Sequence, residues 1–176
     1  MNERIEAIAT RLAALGPRRA PRSEEALASF EARHRVALPA EYRAFLLAFG
    51  DVTLVTEQGI APLARAASPE RLSRDFPFRE TWLYSPDAPE PEDPLLGCLE
   101  LADEGCGIRS LLVVSGPEHG HVWIDSRADD YGIYPLPGPS GGRASFLDWL
   151  EKWTSQQEKL FATMRAPLDP EADIPF

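Results

Sequence analysis

The 176-residue sequence is short of the features that most directly announce a function. It contains two cysteines and three histidines, and no catalytic motif stands out. Cys98 and Cys106 belong to neither a CxxC nor any zinc-type spacing, so both are expected to be small buried hydrophobes of a reducing compartment. No apolar run approaches the length of a membrane span. The opening MNERIEAIATRLAAL alternates charged and apolar residues and lacks the unbroken apolar stretch of a signal peptide; the expected location is therefore cytoplasmic. Positive charge is scarce as well, with 18 basic residues against 28 acidic and a net charge of −10. A surface of that sign repels phosphate backbones, which argues against nucleic acid as a partner. The imbalance is uneven: residues 1–50 hold eight arginines and six glutamates, leaving a net −12 on residues 51–176. That acidity either keeps the protein soluble or attracts a basic partner.

What is present describes one ordinary domain. Hydrophobic residues make up 44% and charged residues 26%, the balance of a globular protein able to bury a core without staples. The 17 prolines crowd the connections, and no internal repeat is visible.

The chain is organised around residues 97–136. Apolar and β-branched runs at 108–114 and 121–124 flank Ser-Gly-Pro-Glu-His-Gly, the spacing of an antiparallel hairpin with a longer loop. Further strands are expected at 98–101 and 132–136. The uninterrupted Leu111, Leu112, Val113 and Val114 suit a central strand covered on both faces.

Helices are expected around this sheet. Ile5, Ile8, Ala9, Leu12 and Leu15 form one helical stripe that ends at Gly16-Pro17. Ser23 is placed to cap a second helix that points Leu27, Phe30 and His34 inward. Leu38-Pro39 opens a third, with Tyr42, Phe45, Leu46 and Phe49 at helical spacing and Gly50 free to close it in the left-handed conformation. After a flexible GPSGGR connector, Ser145 and Asp148 resemble a capping box for a last helix bearing Phe146, Trp149, Leu150 and Trp153, continued by Leu160, Phe161 and Met164. This helix is expected to lie across the sheet. Residues 51–96 show little periodicity: a short strand is expected at 52–55, a helical turn from Ser68-Pro69-Glu70, and an exposed acidic loop at 85–94, where four prolines forbid regular structure. Residues 166–176 read as a disordered tail or an extended strap.

Three segments in order, LPAEYRAFLLAFGD, GCLELADEGCGIRSLLVVSGPEHGHVWIDSRADDYGI and ASFLDWLEKW, resemble the SUKH superfamily, named for fungal cell-wall assembly regulators and their bacterial relatives. The resemblance covers about residues 38–153 of a single domain. It implies an α+β fold with a mixed, twisted sheet packed by N-terminal and C-terminal helices. It also implies, in bacteria, an immunity protein that binds and neutralises a toxin domain, nucleases among them. The family often ends its first motif in Asn-Gly-Gly, where this chain has Phe49-Gly50-Asp51-Val52. It supplies no shared catalytic residues to carry over.

Candidate sites are few. His119, His121 and Asp125 in HGHVWID suggest a metal set, yet a polar hairpin turn explains the same letters, and no cofactor is expected. Cys106, between two glycines and beside Asp103 and Glu104, lacks the positive neighbours that ionise a thiol, so a tight turn accounts for it. Trp149 and Trp153 fall at core spacing, whereas Trp82 stands outside any periodic run and is a candidate binding anchor. With Glu90, Glu92, Asp93, Asp103, Glu104, Asp129 and Asp130 it forms the candidate partner-binding set, a loop-borne acidic face complementary to a basic protein. The expected function is a non-enzymatic binding module, foremost an immunity protein. A housekeeping scaffold is the alternative, and a metal-dependent enzyme using His119, His121 and Asp125 ranks third.

Overall fold

In the computed structural model, residues 3–16, 20–50, 60–66, 68–87, 89 and 91–165 are described. The expected strand at 52–55, the tail at 166–176 and Glu90 lie outside them. The architecture is α+β. Helices α1 (Glu3–Ala13), α2 (Glu24–His34), α3 (Ala40–Phe49) and the single turn α4 (Pro69–Leu72) precede strands β1 (Cys98–Gly105), β2 (Ile108–Val113), β3 (Val122–Ser126) and β4 (Gly132–Pro135), and α5 (Phe146–Arg165) is the last described element.

The four strands lie in sequence order, and every pairing is antiparallel. Among the described residues the sheet is thus antiparallel rather than mixed, because each connection between these strands is too short for the crossover a parallel neighbour requires. β2 and β3 are the inner strands. β1 runs four residues further than expected, through Asp103 and Glu104, by absorbing irregularities between Glu100 and Ala102 and between Asp103 and Gly105. β3 begins one residue later, with His121 bridging to Ser145.

Alternation along the strands gives the sheet two buried faces. Leu99, Leu101, Leu112, Val114, Val122 and Ile124 belong to the main core with the helices. There Phe146 sits among Tyr42, Phe45 and Trp149, with ring centroids 5.0, 5.4 and 5.9 Å away. Cys98, Leu111, Val113, Trp123 and Ile133 face the other way and form a second core with Phe76 and Phe78. The irregular aromatic stretch therefore covers a sheet face: Phe76 packs edge-on to Trp123 at 5.0 Å, and Trp82 exchanges two 2.8 Å backbone hydrogen bonds with Ile133.

Local signals were obeyed with some corrections. The Ser23 side chain accepts from the Ala26 N–H at 3.1 Å. At the head of α5 the Ser145 N–H donates to Asp148 at 2.9 Å, and Glu41 of α3 accepts from the Leu147 N–H at 3.0 Å. Gly50 ends α3 at φ 70°, ψ −158°, outside the left-handed helical region, because the chain must pass the Ala20 carbonyl where a Cβ would collide. Residues 138–143 form a hydrogen-bonded turn closed by a Pro137–Arg143 bridge, with Gly138 N–H donating to Gly142 O at 2.9 Å. Cys98 is buried as expected, but Cys106 is exposed, at φ 52° in the turn between β1 and β2.

Candidate functional site

Two hairpin ends meet at one end of the sheet. A methyl group on Gly107, in the β1–β2 turn, would stand 3.0 Å from the Ala128 side chain of the β3–β4 connection. The end of β1 and the β3–β4 turn thus bring Asp103, Asp129 and Asp130 to a common edge, where all three are exposed. Asp103 accepts from the Gly105 N–H at 2.9 Å, which holds its turn. Asp130 closes a short 3-10 turn at φ 61°. Among the described residues no cation pairs with these three carboxylates, although ten arginine–carboxylate pairs are made elsewhere, from Arg4–Asp148 to Arg143–Glu118. The Trp82–Ile133 bridge adds an apolar element, because it sets Leu83 and Tyr131 at neighbouring positions with 69% and 68% of their surfaces exposed. Large apolar side chains that stay exposed beside unpaired carboxylates have the make-up of an interface anchor with a polar rim.

Not every candidate belongs to this edge. Asp93 is bound by both of its oxygens to Arg71, at 2.5 and 2.8 Å, and that guanidinium holds its carboxyl below the usual carboxylate range. Its charge is committed to tying the proline-rich loop to α4. Glu92 is exposed in the same loop. Trp82 is half-buried, covering the second core alongside Phe78, with Leu83 rather than the indole facing solvent.

Glu104 has a different role. It leaves the acidic edge for the helix-packed face, where Ser110 donates to its Oε1 at 2.6 Å and the Trp149 indole N–H donates to Ser110 Oγ at 3.0 Å. These groups line an open cleft of about 270 Å³ between α5 and β4, with Tyr134, Trp153 and Lys152. Sequence reasoning placed Trp149 and Trp153 in the core, where both are indeed buried, but it did not find the cleft. The available signal was Ser110, a lone hydroxyl on the helix-facing side of an otherwise apolar strand, which must find a partner when buried.

The three HGHVWID candidates diverge. His119 Nε2 lies 2.9 Å from the Ala37 carbonyl, and buried Asp125 is bound through both oxygens by Arg127 at 2.8 and 2.9 Å. His121 Nδ1 stands 3.5 Å from Glu118, whose other oxygen pairs with Arg143. The three side chains meet different partners, and among the described residues no group of three or more His, Cys, Asp or Glu is placed to hold a metal ion. Burial pushes the Cys98 thiol up to about 12, so it is not a nucleophile at neutral pH. No described helix is long and apolar enough to cross a membrane. The chain matches no family model, no curated protein and no solved structure with which it was compared.

Proposed function

We propose that this chain is a non-enzymatic, cytoplasmic protein-binding module of the SUKH kind, acting as an immunity protein that occludes a basic partner such as a toxin domain. One observation carries the reading: Asp103, Asp129 and Asp130 stand exposed and, among the described residues, without a cation partner at a hairpin edge beside exposed Tyr131 and Leu83. Uncompensated charge of one sign lowers the stability of the free protein slightly and raises the rate of encounter with a surface of the opposite sign. An apolar anchor within such a rim provides the slow dissociation that charge alone does not.

The test is affinity purification with the tagged chain at about 50 mM and about 500 mM salt, where the Debye length shortens roughly threefold. A basic protein retained at low salt, and retained several-fold less by the D129N/D130N variant, supports the reading. Retention independent of both salt and the two aspartates overturns it.

A further inference from the structure

The cleft between α5 and β4 has a fixed polarity. An indole N–H can only donate, so Ser110 accepts from Trp149 and must place its single hydroxyl hydrogen on Glu104. Ser110 is fully buried, which leaves it no water to bond in place of the carboxylate. One oxygen of Glu104 is thereby held, and the other has no cation partner among the described residues. The same cleft is walled by the partly exposed ring of Tyr134, with Trp153 buried beneath, and it lies near the acidic edge, because Glu104 follows Asp103 in β1.

From this geometry we infer that the cleft receives an arginine side chain of the basic partner, with the guanidinium against Glu104 and its plane along the Tyr134 ring. The inference rests on the reading above and names the side chain that the partner inserts. Arginine suits the site better than lysine, since a planar guanidinium can both stack on aromatic rings and donate in parallel to a carboxylate, whereas an ammonium is a strongly hydrated point charge. Lys152, exposed at the rim, opposes a second cation and sets a limit on how tightly a lone arginine binds.

The test is a titration of the full chain with N-acetyl-arginine amide, followed by the indole N–H signals of Trp149 and Trp153 in nitrogen-15 NMR. N-acetyl-lysine amide and the uncharged N-acetyl-citrulline amide serve as controls. Saturable shifts with the arginine probe are expected, weaker by several-fold with lysine and absent with citrulline. Glu104→Gln keeps an oxygen that can accept from Ser110, so the fold is retained while arginine binding falls about tenfold with the loss of the charge. Lys152→Gln raises it roughly two- to threefold, and D129N/D130N changes it less than about twofold, as expected of screened surface charges. Equal binding of citrulline, or undiminished binding by Glu104→Gln, overturns the inference. So does an unmoved Trp149 signal. An octa-arginine peptide separates the two readings. If it binds through Asp129 and Asp130 with strong salt dependence while the amide probe does not bind, the cleft assignment alone falls. If neither binds, both fall.

Discussion

On one face of the sheet, α1, α3 and α5 bury a continuous apolar surface with regular spacing, joined at α1 and α5 by Arg4–Asp148 and Arg11–Glu158 ion pairs. On the opposite face an irregular stretch drapes Phe76 and Phe78 over Trp123, with few backbone bonds, among them Phe76 N–H to Ser115 O and the Trp82–Ile133 exchange. A helix satisfies its own backbone and needs only side-chain burial to stay in place, whereas a loop depends on each anchor it makes. The first covering should therefore fail only with the whole fold, and the second should detach by itself.

The largest expected effect tests that contrast. Phe146→Ala and Phe76→Ala each remove a buried ring, a change that costs roughly 3–5 kcal/mol. Phe146→Ala is expected to lower the free energy of global chemical unfolding by that amount. Phe76→Ala is expected to open the loop first, speeding hydrogen exchange at residues 76–84 and exposing Trp123 to fluorescence quenchers while α5 stays protected. Equal protection of both regions in Phe76→Ala would remove the distinction.

Next in size is Ser110→Ala, which leaves the buried Trp149 indole N–H without an acceptor and is expected to cost about 1–3 kcal/mol. A smaller loss in thermal unfolding would show water replacing the hydroxyl through the cleft.

Acid sharpens the comparison at smaller energy, because α1 is tied to α5 by the ion pairs of Arg4 and Arg11. Burial by itself would raise the Asp148 carboxyl, but the Ser145 backbone N–H and Arg4 outweigh it and hold it below its ordinary value, as Arg11 does for Glu158. A carboxyl depressed in the folded state binds protons more readily when unfolded, so this stabilisation is present above the ordinary carboxylate pKa, about 4, and declines as pH falls through and below it. His34, lowered by burial, adds a loss that begins earlier, as pH falls below about 6.5. Unfolding midpoints measured from pH 8 to pH 3 check both windows, and the shallower step near neutral pH should vanish in His34→Gln.

The smallest effect is expected at the acidic edge. D129N/D130N should change stability by no more than about 0.5 kcal/mol, since neither aspartate has a cation partner to lose among the described residues. A marked stabilisation would mean that mutual repulsion there exceeds what a screened surface carries.

Much of the helical face was readable from particular residues. Ser23, the Ser145–Asp148 pair and the stripes through α1, α3 and α5 each declare a local geometry, because a helix is specified by neighbours three and four apart. The β2 run predicted a strand buried on both faces, and it is one. Residues 74–84 were opaque for the converse reason: Phe76, Phe78 and Trp82 contact Trp123 and Ile133, far along the chain, and no period records that. Of the candidate partner-binding residues, the sequence could place Asp129 and Asp130 in a turn, but not show that Asp103 lies within β1, that Arg71 had already claimed Asp93 or that Glu104 turned toward Ser110.

What this sequence determined alone is the set of elements, their caps and their inward sides, all governed by interactions within a few residues. Only the tertiary structure decided which charges are free. A carboxylate's availability depends on whether an arginine from a distant element reaches it, and that distance is fixed by packing rather than by position in the chain.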